Sequence, residues 1–143
     1  MTPSKGRVQR RERSLPDRAV PVKEPERWYP PDPQQTKTYK IKIPLGELGQ
    51  IIGRTEYDEA HRMTFFALTA QVLLAGSWWD VVRIDTCHGE VHAHYKYRTR
   101  DYEERETILV INCQNDVDRG YQQAEKMLIT LWPEHEKRWR GGC

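Results

Sequence analysis

The stretch Arg83-Ile-Asp-Thr-Cys-His-Gly-Glu-Val-His-Ala-His-Tyr-Lys-Tyr97 predicts the hairpin at the centre of the fold. Apolar and polar residues alternate on both sides of His88-Gly89, as they do in strands with one buried face. A two-residue type I′ turn needs a positive φ at both positions, which glycine adopts freely and histidine tolerates better than most residues. The pattern therefore predicts two antiparallel strands joined at His88 and Gly89.

The turn also fixes the register of these two strands. Asp85 would face His92, and Arg83 would face His94, with directly opposed Cβ atoms ~4.5–5.5 Å apart. We therefore expect one acid, two imidazoles and one guanidinium to lie together on an open face of the sheet. The opposite, mainly apolar face would hold Val82, Ile84, Thr86, Val91, Ala93 and Tyr95.

The whole sequence predicts an α+β fold, in which an antiparallel β-meander of four to five strands packs on one face against a C-terminal amphipathic helix. The helix should begin near Asn115, and Pro133 should kink it or start a new turn. Residues 45–60 are left open, because three glycines interrupt them. The predicted strands are Thr38–Ile43, Arg62–Leu74, Trp78–Thr86, the second hairpin strand as far as Arg98, and Glu106–Asn112. The last of these is expected to be largely covered on both faces, because apolar residues follow one another in it.

The strand that precedes the hairpin can be aligned by matching apolar faces. A three-residue loop at Ala75-Gly76-Ser77, with a bulge, would place Val82 opposite Ala70. A two-residue loop would instead set apolar residues against polar ones. The preferred register also puts two small residues, Ala67 and Thr69, beside the polar face of the hairpin, where they would form a shallow floor.

Composition favours one soluble domain behind a basic tail. The chain has 143 residues, a net charge of +2 and a mean hydropathy of -0.87. Residues 1–36 hold seven of the nine prolines and a cluster of arginines, so they are predicted to be a disordered tail before a single α+β domain at residues 37–143. Neither a signal peptide nor an apolar run of ~20 residues is visible, which predicts a cytoplasmic protein without a membrane partner.

The polar face of the hairpin has the residue types for general acid–base catalysis. His92 and His94 would serve as acid and base, Asp85 would orient an imidazole, and Arg83 would stabilise charge on a phosphate. Metal-independent cleavage of RNA, with the ribose 2′-OH as nucleophile, needs such a face and no cofactor. The expected substrate contacts are His88, Tyr95, Lys96 and Arg98.

Three other interpretations stay open. His88, His92 and His94, with Cys87 and Asp85 as further donors, could bind a metal ion, although a structural zinc site usually has four donors and the sequence has no CxxC pair. The basic face and the tail could form a non-catalytic module that binds nucleic acid or a partner protein. The histidines could also belong to an ordinary solvated strand.

The motif Arg83-x-Asp-x-x-His-Gly-x-x-His-x-His94 resembles that of small bacterial proteins of unknown function and, more distantly, TumE-like toxin components of toxin–antitoxin pairs. The likeness covers about residues 62–139, with Ile84 where an aromatic residue is common and Cys87 where alanine is common. The resemblance implies a small α+β protein that acts as a toxin on RNA or translation, with an antitoxin-like protein as its partner. The family's motif residues fall on Arg83, Asp85, His88, Gly89 and His92.

Overall fold

The computed structural model describes residues 28–30 and 35–141, which form one antiparallel sheet covered by two C-terminal helices. The six strands follow one another across the sheet in chain order, so the α+β meander is confirmed, with more strands than the predicted four to five. The strands are β1 (Lys37–Pro44), β2 (Gly49–Tyr57), β3 (Met63–Leu74), β4 (Ser77–Cys87), β5 (Glu90–Tyr95) and β6 (Glu104–Val110). The helices are α1 (Asn115–Thr130) and α2 (Trp132–Trp139).

The additional strand is β2, in the region that the sequence left open. Gly53 of β2 lies opposite Leu68 of β3. A Cβ atom at this glycine would collide with the backbone oxygen of Ala67 and lie 2.9 Å from Leu68 Cδ2. The glycine therefore permits a close approach of two strands, instead of ending one.

The register of the central hairpin is confirmed. Asp85 pairs with His92, and Arg83 pairs with His94. The turn has positive φ at both positions, 53° at His88 and 77° at Gly89. Turn chemistry and alternation are local properties, which is why they could be read from the sequence.

The predicted register between β3 and β4 is also confirmed, but the three-residue loop is wrong. Val82 pairs with Ala70, as expected. The loop has only two residues, Ala75 and Gly76, with φ values of 54° and 80°. The extra residue lies instead at Val81, in a β-bulge beyond the turn, where its side chain is fully buried.

Two predictions about the last strands are wrong. Strand β5 ends at Tyr95 and not at Arg98. Lys96 N still donates to Val81 O of β4, but the chain then leaves the sheet, and Arg98 N donates to Trp139 O of α2. Strand β6 was expected to be covered on both faces. It is an edge strand in which only Ile108 and Leu109 are partly buried and the other five side chains are exposed.

The helices bury one face of the sheet and leave the other open. Phe66 of β3 meets Tyr121 of α1 edge to face, with ring centroids 5.5 Å apart. A second helix starts at Trp132 with Pro133 in its first turn, as Pro133 predicted. Neither helix of the described part is long and apolar enough to cross a membrane.

The predicted disordered tail, residues 1–36, falls mainly on residues 1–27 and 31–34, which lie outside the described residues. Of the part that is described, Trp28 is half-buried against the core and Tyr29 is exposed.

Candidate functional site

The open face of the sheet, opposite the helices, carries two rows of side chains that cross all six strands. Neighbouring strands lie ~4.7–4.9 Å apart, so consecutive residues of a row are close neighbours. The first row is Lys40, Arg54, Ala67, Asp85, His92 and Thr107. The second row is Lys42, Ile52, Thr69, Arg83, His94 and Arg105.

Asp85, His92 and His94 form what we call the histidine cluster. One donor atom from each of the three side chains lies within 4.8 Å of the others. The two imidazole rings are 6.2 Å apart, centroid to centroid, and nearly perpendicular at 83°. Hairpin register brings these residues together, because all three point to the open face of β4 and β5.

Asp85 is nine-tenths buried, with 8% of its surface exposed. Its Oδ2 accepts a hydrogen bond from Arg83 Nε at 2.7 Å. Its Oδ1 is buried, makes no hydrogen bond within the described residues, and lies 3.4 Å from His94 Nε2. One carboxylate oxygen is thus held by the guanidinium, while the other points into the cluster.

Each imidazole is bound by a carboxylate that the sequence interpretation missed. Glu90 Oε1 lies 2.7 Å from His92 Nε2, and Glu103 Oε2 lies 2.5 Å from His94 Nδ1. These two glutamates make ring hydrogen bonds that the sequence did not predict, and Asp85, the predicted orienting acid, lies 3.4 Å from His94 Nε2. Glu90 lies two residues before His92 on the same strand, so alternation could have found it. No local signal points to Glu103, which lies in the loop between β5 and β6.

Lys96 joins the cluster through Glu103. Its Nζ donates to Glu103 Oε1 at 2.8 Å. This hydrogen bond, followed by that from His94, lowers the pKa of Glu103 below its ordinary value of 4.5, against the opposing effect of burial. The carboxylate is therefore charged at neutral pH, and it can hold the His94 ring in one orientation.

The remaining predicted site residues lie elsewhere. Tyr95 is on the helix side of the sheet, where its hydroxyl donates to Glu106 at 2.6 Å and Arg138 lies over its ring. Burial and this carboxylate raise the pKa of Tyr95 to about 12. His88 is exposed in the turn. It does not belong to the group of potential metal-binding side chains, which consists of Asp85, His92 and His94. The exposed Arg98 lies in the loop after β5, where it lines a cleft together with Lys96 and Glu103.

Two concave surfaces flank the histidine cluster. On one side is a groove of about 630 Å³, which we call the basic groove. Lys40, Lys42, Arg54 and Arg83 line it, and the small Ala67 and Thr69 lie at its base. On the other side, a cleft of about 400 Å³ is lined by Lys96 and Glu103 together with Trp78, Trp79, Tyr97, Tyr102 and Trp139.

Comparison with known proteins gives a family but no function. A family model described as "Domain of unknown function (DUF7718)" matches residues 36–142, which include every strand and both helices. The chain belongs to the DUF7718 family. No curated protein and no solved structure matches it.

The chemistry available to this DUF7718 domain follows from its geometry. Imidazole can accept or donate a proton at neutral pH, and a carboxylate on one ring nitrogen fixes which nitrogen is available for that exchange. The cluster holds two such rings, with the cations Arg83 and Lys96 on either side, and the second nitrogen of His94, Nε2, faces Asp85 Oδ1 at 3.4 Å. This set of side chains suits two kinds of chemistry: proton transfer at a phosphate ester, and coordination of a metal ion.

Proposed function

We propose that this DUF7718 domain cleaves RNA at the histidine cluster without a metal ion. The observation that carries the proposal is the pair of imidazoles, 6.2 Å apart, each hydrogen-bonded to its own glutamate. One imidazole would take the proton of the ribose 2′-OH as its oxygen attacks phosphorus. The other would protonate the 5′-oxygen as the P–O5′ bond breaks, leaving a 2′,3′-cyclic phosphate.

The cations beside the cluster would bind the phosphate. A guanidinium has five N–H donors, of which Arg83 uses Nε for Asp85. Its side chain is 42% exposed, so its terminal nitrogens are accessible to a phosphate oxygen. Negative charge develops on that oxygen in the transition state, and a nearby guanidinium stabilises it. The same role suits Lys96, whose side chain is 34% exposed.

The likeness of residues 83–94 to TumE-like toxin components extends this proposal. It supports a toxin that acts on RNA and is controlled by an antitoxin-like protein. Expression in bacteria would then arrest growth, and His92→Ala would relieve the arrest. An antitoxin-like gene beside the coding sequence is the expected genomic context.

RNA cleavage by the purified protein tests the proposal. Wild type, His92→Ala and His94→Ala are each incubated with total RNA and a defined labelled RNA, with EDTA present. Loss of one acid or base should reduce the rate by ~10²–10⁴-fold. The matched control is His61→Asn, because His61 is an exposed histidine of the β2–β3 loop with a positive φ that asparagine tolerates. Identical RNA products from the wild type and both alanine variants would refute the proposal.

A second candidate function is metal binding at Asp85, His92 and His94. It is favoured by the buried Asp85 Oδ1, which lies 3.4 Å from His94 Nε2. Two ligands bound to one ion at ~2.0–2.2 Å lie ~3–3.5 Å from each other, which matches this distance. Two histidines and a carboxylate suit Zn²⁺ or Fe²⁺, and Glu103 on the second nitrogen of His94 is a common outer-shell partner.

Elemental analysis distinguishes the two candidates. The protein is purified without a histidine tag, and its metal content is compared with that of Asp85→Asn. If the cluster binds a metal ion, the wild type should contain about one ion per chain, and Asp85→Asn should contain none. Any cleavage of RNA by the wild type should then be abolished by EDTA. A metal-free wild type that also fails to bind added Zn²⁺ in calorimetry closes this candidate.

A further inference from the structure

We propose that the basic groove binds the phosphate backbone of single-stranded RNA and directs it across the sheet to the histidine cluster. The inference rests on the proposed function for the identity of the ligand. Arg83 would serve both binding and cleavage, but Lys40 and Lys42 have no part in the proposed cleavage step, so changing these two lysines lets binding and cleavage fail separately.

The basic groove carries an excess of positive charge. The residues lining the basic groove include four cations and no carboxylate. Within the described residues, no ion pair involves Lys40 or Lys42. Arg54 has only a 3.5 Å contact with Glu56, and half of its side chain is exposed. Arg83 is paired with Asp85 at 2.7 Å, so the unbalanced charge comes from Lys40, Lys42 and Arg54. A surface with this imbalance favours a polyanion, because phosphates would neutralise these three cations.

The cations of the basic groove are not confined to the edge of the sheet. Strand β1 is a sheet edge, and lysines on an edge strand often serve only to prevent association with another sheet. That explanation covers Lys40 and Lys42. It does not cover Arg54 on β2 or Arg83 on β4, which are interior strands with neighbours on both sides. The four cations share the open face and one groove, and a common ligand accounts for all of them.

The row geometry links the groove to the cluster. Lys42, Arg83 and His94 belong to the same row, on β1, β4 and β5. At one strand spacing per step, Lys42 lies ~14–15 Å from Arg83 and ~19 Å from His94 at the backbone. A few nucleotides of extended strand cover that distance, so a phosphate held at Lys42 would place a later phosphate at the histidines.

A stacked arginine favours single-stranded over double-stranded RNA. The Arg54 guanidinium lies over the Phe65 ring, with Cζ 4.6 Å from the centroid. The guanidinium is planar, and its outer side can stack against an unpaired base. Bases inside a duplex are already stacked on each other and cannot reach such a surface without unpairing.

Anisotropy of a fluorescein-labelled 2′-O-methyl oligouridine tests the inference on the full chain. The 2′-O-methyl groups block the nucleophile, so only binding is measured. Lys40→Glu/Lys42→Glu should weaken binding at least tenfold and reduce the slope of log K against log salt by ~1.4, for two lost contacts at ~0.7 each. The matched control is Lys126→Glu/Lys137→Glu, an equal change of charge at exposed helix positions, and it should stay within threefold of wild type.

Each other outcome has a fixed meaning. Groove-dependent binding by a protein that cleaves no RNA supports the groove and refutes the cleavage proposal. Cleavage that is unchanged in Lys40→Glu/Lys42→Glu refutes the groove and leaves the cleavage proposal standing. No binding by the wild type, equal weakening in the control pair, or equally tight binding of a duplex of the same length also overturns the inference. Circular dichroism melts confirm that each variant is folded.

Discussion

Gly120 controls how closely α1 packs on the strand that carries both cluster histidines. A Cβ atom at this position would lie 2.7 Å from Val91 Cγ2, whereas the next nearest atoms, from Leu109 and Phe66, are at 3.6 Å. Val91 is fully buried on β5, directly before His92, so it has little room to move. We predict that Gly120→Ala destabilises the protein, although alanine is the better helix former.

The magnitude follows from two opposing effects. Replacing glycine by alanine inside a helix stabilises it by ~0.8–1.0 kcal/mol. Forcing an extra methyl group into a packed core costs ~1–3 kcal/mol. The net change in the free energy of unfolding should therefore be a loss of about 0–2 kcal/mol. If Val91→Ala removes the clashing methyl group first, only the helix gain remains, and Gly120→Ala should then stabilise by ~1 kcal/mol.

Urea unfolding of the wild type, both single variants and the double variant measures this coupling, which should be ~1–3 kcal/mol. Gln123→Ala, at an exposed position of the same helix, serves as the control and should change stability by no more than ~0.5 kcal/mol. Additive effects of Gly120→Ala and Val91→Ala would refute the reasoning, because they would show that the two side chains do not compete for one space.

Three further predictions concern stability. Burial, and next the charge of Arg138, lower the pKa of His135 below its ordinary value of 6.5. As the pH drops, His135 is therefore protonated in the unfolded chain before it is protonated in the folded protein, and the free energy of unfolding decreases below about pH 6.5. Urea midpoints at pH 7 and 5.5 should therefore differ less for His135→Gln than for wild type, and an equal difference would contradict the assignment. Asp116 is buried and accepts hydrogen bonds from the backbone amides of Asn112 and Cys113. In thermal unfolding, Asp116→Ala should therefore lower the free energy of unfolding by ~1–3 kcal/mol. Asp118→Ala, at an exposed position, should lower it by less than ~0.5 kcal/mol. At His88, where φ is 53°, valine should cost ~1–2 kcal/mol in urea unfolding and asparagine should be tolerated, so equal stability of both variants would argue against backbone strain there.

The hairpin shows why part of the fold could be predicted. Alternation has a period of two, and a one-residue slip would move every apolar side chain to the wrong face. The sequence therefore constrained the pairing of Asp85 with His92 strongly. The same reasoning gave the register of β3 and β4, although the extra residue is at Val81 and not in the turn. Bulge position depends on how a strand packs against its neighbours, and no local pattern records it.

Strands β2 and β6 were harder to predict, for a physical reason. Strand β2 contains a glycine that approaches β3 closely, and this contact exists only when the two strands pack. Strand β6 begins with three charged residues and ends with the apolar run Ile108-Leu109-Val110, from which the sequence suggested a covered strand. Only Ile108 and Leu109 are partly buried, and the position of β6 at the end of the strand order is a property of the tertiary structure.

The candidate site, like the fold, could be predicted from the sequence only in part. The sequence by itself determined which face of β4 and β5 carries Arg83, Asp85, His92 and His94, because turn chemistry and alternation act over a few residues. Only the tertiary structure decided which atoms meet. Glu103 reaches His94 from a separate loop, and Asp85 Oδ1 points towards the ring diagonally across the strands. The basic groove likewise takes its cations from three strands, since a surface that spans a sheet forms only when distant segments are aligned.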